Sequence, residues 1–248
     1  MTIVIDPGTS ATTDTGGKTF LELAQLVRQE CRISGSGPTD VVNQVAEYTR
    51  VLTWTSRAWM DIQRANRFWR FMRASCSCET VNGQGAYSPS TDFALTDFGH
   101  WALNYDNGDT FRNYDTAAGV TSEVPMRPVE YDEWRDTYFF GATRTTYSRP
   151  MVCAVAPDNS LVVGPIASAG YTLVGDYYRQ ATPLVNGDDV PDMPSQFHDL
   201  IVFKAMQYYG VSESAPEIYD LGAGMYREMF MQLVKDQAPR LRTAGGLI

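Results

Sequence analysis

The stretch Asp188-Asp-Val-Pro-Asp-Met-Pro-Ser-Gln-Phe-His-Asp-Leu200 decides how the whole chain is read. It gathers Asp188, Asp189, Asp192 and Asp199, a serine and one of the chain's 2 histidines into a short span. Such a set can serve as an acid–base pair or as metal ligands. The order of the residues points instead to a joint between structural elements. Asn186-Gly187-Asp188 spells a turn, and Pro191 and Pro194 stiffen the approach that follows. Ser195 then stands where a helix N-cap is expected. His198, three residues on, falls in the first turn, where a neutral imidazole can return a hydrogen bond to the cap. Carboxylates just ahead of a helix are favoured by its partial positive end. Phe197, Leu200, Ile201, Ala205 and Tyr208 follow on one helical face, and Gly210 is expected to end it.

Upstream of the joint the period is that of strands. Between about Ala74 and Leu184, the turn signals Asn82-Gly83, Asn107-Gly108 and Asp158-Asn159 separate short apolar runs. Met151 to Ala156 and Leu161 to Val163 read as a hairpin, Tyr171 to Tyr178 as a further strand, and Val129 to Tyr138 as a short helix. Downstream, Pro216 opens a second helix, with Ile218, Leu221, Met225, Met229 and Leu233 at spacings of three and four until Pro239.

The beginning of the chain is also helical. Thr19 and Glu22 have the spacing of a capping box ahead of Phe20, Leu23, Ala24, Val27 and Cys31, and Ser34-Gly-Ser-Gly37 closes that helix. Pro38 is expected to open a longer one, with Val41, Val45, Tyr48, Leu52, Trp59 and Ile62 on one face, ending near Asn66. Trp54, Trp59, Phe68, Trp69 and Phe71 lie among Arg57, Arg64, Arg67, Arg70 and Arg73. Such interleaving suits base stacking, but the near-helical spacing of the aromatic residues favours a core stripe beside a solvated one.

Two helices before the β region and two after it imply an α+β fold: an α-helical bundle formed by the N- and C-terminal helices, with an inserted, mostly antiparallel β domain. The terminal helices need each other to bury their apolar faces. The expected organisation is a flexible arm at residues 1–18, a bundle from 19–73 and 186–238, a β-rich domain at 74–185, and an extended tail at 239–248.

Composition narrows the function. A hydrophobic fraction of 44% supports a sizeable core, and a net charge of -9 disfavours a surface that grips nucleic acid, which needs clustered Lys and Arg. DNA passing close by is still compatible, because a conduit works better when its walls do not hold the cargo. No apolar run reaches the roughly 20 residues of a membrane span, and the N-terminus lacks the basic start and apolar stretch of a secretory signal. The 4 cysteines, Cys31, Cys76, Cys78 and Cys153, match neither a zinc ribbon nor a disulfide framework, and read as reduced thiols made in a cytosol.

No phosphate-cradling loop, zinc-protease motif or nucleophile elbow occurs. Asp106-Asn-Gly-Asp109 begins like a calcium loop, but Ala117 stands where a bidentate Glu is required. His100, in Phe-Gly-His-Trp, reads as a packed imidazole between strands. No catalytic residue, cofactor or metal is therefore expected.

The segment Asp176-Tyr-Tyr-Arg-Gln-Ala-Thr-Pro-Leu184, continued by Asp-Val-Pro-Asp-Met-Pro-Ser-Gln-Phe-His-Asp-Leu-Ile-Val-Phe-Lys-Ala205, resembles the C-terminal part of head-to-tail adaptor (connector or neck) proteins of tailed bacteriophages. Phe20-Leu-Glu-Leu-Ala24 through Ser34-Gly-Ser-Gly-Pro38, with Trp54, Ala58-Trp59 and Ile62-Gln63, looks like the opening helices of the same family. This resemblance implies a virion structural protein of the neck, made in the host bacterial cytoplasm. Its partners would be further copies in a ring, typically of twelve, the portal protein above and the next neck or tail component below. DNA would pass through the lumen without specific contacts.

In such proteins the C-terminal segment commonly reaches into the portal. The candidate portal-binding residues are Arg240, Leu241, Arg242, Leu247 and Ile248. Extended, this tail spans roughly 30 Å, and burying Leu247 and Ile248 contributes about 1.5–3 kcal/mol each. Ile3, Val4 and Ile5 in the arm are candidates for adding a strand to a partner. Two other classes stay open on residues alone: a polysaccharide-degrading or cell-wall-acting phage enzyme using carboxylates of the β region, and a binding module displayed on a particle.

Overall fold

In a computed structural model of the chain, the described residues are 16–44, 46–103 and 110–238. The arm candidates Ile3, Val4 and Ile5 lie outside them, as do the tail candidates Arg240, Leu241, Arg242, Leu247 and Ile248. So do the Asn107-Gly108 turn and Asp106–Asp109, the start of the abortive calcium loop, whereas Ala117 lies in a turn just after a strand. The chain forms two compact units, one of Met1–Met72 with Ala181–Ile248, the other of Arg73–Gln180. The fold is α+β: N- and C-terminal helices pack together, and the central part is a mixed, mostly antiparallel sheet.

In the helical unit, α1 covers Phe20–Glu30 and α2 covers Ala46–Arg64. The capping box at Thr19 and Glu22 forms as expected. Phe20, Leu23, Ala24 and Val27 are all buried, as the period of α1 requires. The second helix starts later than the pattern from Pro38 predicts. The Pro38 carbonyl accepts from the Gln25 side chain at 3.1 Å, and the Asp40 carboxylate takes the Val41 N–H at 2.6 Å. Asn43 has φ 57°, outside helical space, so no turn propagates through residues 38–44. Beyond α2, Trp69 is fully buried and its indole N–H donates to the Ile62 carbonyl at 2.9 Å. Trp59 is also buried, so these two indoles belong to a core stripe, whereas Phe68 is exposed.

The sheet unit opens with β1 (Arg73–Glu79), β2 (Ala86–Tyr87), β3 (Phe98–Trp101), β4 (Phe111–Asp115) and β5 (Val124–Pro128). The short helix α3 (Tyr131–Trp134) passes into a wider π-type turn at Arg135–Phe139, where a helix is expected. Then come β6 (Tyr147–Ser148), β7 (Val152–Val155), β8 (Leu161–Gly164), β9 (Ile166–Ala167) and β10 (Tyr171–Arg179). The main sheet runs β1-β10-β4-β5-β7-β8-β2, with β3 also on β10; β5 and β7 pair in parallel, and the other pairs of this sheet are antiparallel. The hairpin β7–β8 and strand β10 are those expected from sequence. Cys76 and Cys78 alternate inward along β1, as period 2 demands. Gly175 of β10 lies opposite Phe111, and a Cβ there would come within 2.3 Å of the Phe111 ring. The glycine thus makes room for a fully buried aromatic that meets Trp101 edge-on at 5.5 Å.

The chain returns to helix with α4 (Asp199–Ser212) and α5 (Pro216–Gln237). Ser195 does not cap α4 with its side chain. A 3-10 turn at Ser195–Phe197 precedes the helix, and the carbonyls of Pro194 and Ser195 accept from Phe197 and His198 N–H at 2.9 and 3.1 Å. Backbone groups thereby occupy the donors that a serine hydroxyl would have served. Nor does Gly210 end α4. A Cβ there would lie 2.8 Å from the Tyr219 backbone nitrogen, so this glycine permits close approach of α4 and α5. The chain leaves helical geometry at Ser214, with φ 52°.

Candidate functional site

Residues 181–199 bind α1, α2 and α4 into one body. Gln63 of α2 is buried, and its amide pairs with Thr182 in both directions: Nε2 donates to the Thr182 carbonyl at 2.8 Å, and Oε1 accepts the Thr182 N–H at 3.1 Å. Ser56 donates to the Leu184 carbonyl at 3.0 Å. The exposed donors at the start of α1 are then taken in turn. Phe20 N–H donates to the Asp189 carbonyl at 2.8 Å, Leu21 N–H to the Gly187 carbonyl at 3.1 Å, and Glu22 N–H to Thr19 Oγ1. A helix start distant in sequence is thus satisfied by this return segment.

Two carboxylates of the opening stretch, Asp189 and Asp199, serve the same end. Asp189 Oδ2 accepts from Val185 and Asn186 N–H at 2.7 and 2.8 Å, and Oδ1 from the Asn186 amide at 3.2 Å. Desolvation works against its charge, but these three donors outweigh it and hold the carboxyl below its ordinary range. Asp199 pairs with Lys18 across the start of α4. Among the described residues, no group of three or more His, Cys, Asp or Glu is arranged to hold a metal ion.

His198 is buried in this joint. Its Nδ1 accepts the Lys18 backbone N–H at 3.0 Å, and its Nε2 lies 2.9 Å from the Met193 carbonyl. One ring nitrogen therefore accepts and the other donates, which fixes a neutral imidazole with the proton on Nε2. Both of these bonds go to backbone groups outside the turn that carries the ring. His100 stacks on Tyr178 at 4.9 Å and 15°, a packed ring as expected. All four thiols are buried, and desolvation pushes those of Cys31, Cys76 and Cys153 up to about 12 and that of Cys78 higher still. Thiols held so far towards the protonated form are poor nucleophiles at neutral pH.

What the helical unit does present is surface. The apolar row expected to pack α5 is split: Leu233 is buried, but Leu221 is 53% and Met225 43% exposed. Beside Leu233, core contacts come from Gly222, Tyr226 and Phe230. On α2, Arg50, Arg57 and Arg64 recur every seven residues and so fall on one exposed stripe. That spacing was visible in the sequence, yet the aromatic residues among these arginines draw attention to the core. Arg57 lies over the Tyr208 ring at 4.7 Å, and Arg50 pairs with Glu213. Beside the stripe, a cleft of about 450 Å³ is lined by Phe20, Leu52, Met60 and Leu184, with Arg57 and Arg64 at its edge.

The helical unit thus holds Asp189, Asp199 and His198 in a joint between helices and leaves faces of α2 and α5 exposed. Residues 18–246 match the SU10 adaptor protein family, and the chain belongs to that family: it is a phage adaptor protein. No curated protein matches it. No helix of the described residues is long and apolar enough to cross a membrane.

Proposed function

We propose that the chain is the head-to-tail adaptor of its virion: a ring, of the twelve copies that the resemblance implies, that sits between the portal protein and the next neck or tail component while DNA passes through its lumen. The observation that carries this reading is the family match over residues 18–246, together with a joint that uses its polar groups to hold helices. The acidic balance of -9 suits a lumen that lets DNA slide. Arg240, Leu241, Arg242, Leu247 and Ile248 are proposed as the portal-binding tail, where contacts weak in one copy add up around a ring. Ile3, Val4 and Ile5 are proposed as an arm that adds a strand to a partner.

The test is co-purification with the cognate portal. Full-length chain is expected to form a stable complex, and deletion of Arg240 to Ile248 to abolish it; unchanged binding by the truncated chain would remove the tail assignment. For the arm, docking predicts a slower proteolytic cleavage rate after assembly than before.

A further inference from the structure

We propose that the outward face of α5 in one copy docks, head to tail, on the α2 face of a second copy. This rests on the ring reading above and names the two surfaces that would meet. On α5, Glu217, Leu221, Met225 and Glu228 share one face, and all four are exposed. The apolar pair is thus bracketed by two carboxylates 11 residues apart, about 16 Å along the axis at ~1.5 Å per residue. Arg227 lies on the flank, and Lys235 lies about two turns beyond Glu228.

The α2 face is complementary. Its cleft offers Leu52, Met60 and Leu184 as an apolar floor, with Arg57 and Arg64 about 10 Å apart along the helix, at ~1.5 Å per residue, on the edge. Among the described residues, neither arginine makes an ion pair within its own chain: Arg57 lies over the Tyr208 ring, and the nearby Asp61 carboxylate is taken by the Tyr208 hydroxyl. An apolar centre with a charged rim is how protein interfaces are built, and opposite charge on the two rims sets register.

The charges also dictate the symmetry. A two-fold contact of α5 on α5 would set Glu217 against Glu228, and one of α2 on α2 would set arginine against arginine. Only the unlike faces match, and a contact between unlike faces is heterologous, the kind that closes into rings.

Thiol cross-linking of the full-length chain tests this, because the four native thiols are buried and leave only introduced ones to react. Chains carrying Met60→Cys and Leu221→Cys are mixed in concentrated solution with a short bis-maleimide. The mixture is expected to give about tenfold more cross-linked dimer than either chain alone, and a chain bearing both substitutions a ladder. Adding Glu217→Arg and Glu228→Arg to the Leu221→Cys chain is expected to abolish the product. Arg57→Glu and Arg64→Glu in the Met60→Cys chain should restore it; if Arg57→Glu impairs folding through loss of its stacking on Tyr208, Arg64→Glu alone serves. Dominant Leu221→Cys self-cross-linking, or no product at all, overturns the proposal. So does salt-dependent binding of duplex DNA that requires Arg57 and Arg64 and leaves cross-linking absent. Portal co-purification is a separate readout: a chain that binds portal but fails to cross-link refutes only this contact, whereas cross-linking without portal binding refutes the adaptor placement instead.

Discussion

The Lys18 backbone N–H donates to Nδ1 of His198 at 3.0 Å, joining residues 180 positions apart in the chain. At the other edge of the same imidazole, Nε2–H donates to the Met193 carbonyl at 2.9 Å. One side chain thereby ties the entry to α1 to the start of α4, and it does so only as the neutral, Nε2-protonated ring.

Replacing this ring should cost stability. His198→Ala leaves two backbone groups without their partner in a buried place and opens a cavity, a loss of about 2–4 kcal/mol. His198→Gln keeps one donor and one acceptor and should lose less. Urea unfolding followed by far-ultraviolet circular dichroism measures both.

Asp189 should contribute to the acid limb of stability. Its folded carboxyl is depressed by the Val185 and Asn186 donors against the opposing effect of desolvation. The contribution is therefore present above the unfolded value of about 3.9 and is lost as pH falls through the lower folded one. Asp189→Asn should destabilise the joint at neutral pH and flatten the stability profile below about pH 4, as measured by denaturant midpoints across pH.

Gly210→Ala should force α4 and α5 apart. The new methyl group would meet Tyr219 backbone atoms at 2.8–2.9 Å, which cannot rotate away. Overpacking of this kind costs about 1–3 kcal/mol, and a lower thermal midpoint of the helical signal is the expected result.

The native thiols should be inert. With Cys31, Cys76, Cys78 and Cys153 buried and their pKa values raised by desolvation, a thiol reagent at pH about 8 should label none in the folded chain and all four after denaturation. Mass spectrometry of the labelled protein counts them.

Gly175→Ala should act on the sheet unit. Its Cβ would overlap the buried Phe111 ring, so the aromatic cluster around Trp101 must rearrange. A changed near-ultraviolet spectrum with little loss of helical signal is the expected outcome.

Local signals were legible wherever their partners lie nearby in sequence. The Thr19–Glu22 box spans four residues, the β7–β8 hairpin needs only its turn, and Pro216 presets its own helix start. The joint at Asp188–Leu200 was legible in kind, as a turn, a stiffened approach and a helix start. Its hydrogen bonds were not, because Lys18 and Phe20 reach it, and Leu21 and Gln63 reach the residues just before it, only after the chain has folded back.

Periodicity, turn chemistry and residue type are local properties, so the order of helix and strand, the β hairpin and the lack of a catalytic motif could be read along the chain alone. Tertiary structure alone decided that Gly210 is a contact rather than a stop, that Leu221 and Met225 face outward, and that His198 bonds to Lys18 and Met193. Each of those depends on which surfaces meet, and a one-dimensional pattern of apolar and polar residues does not specify its partner.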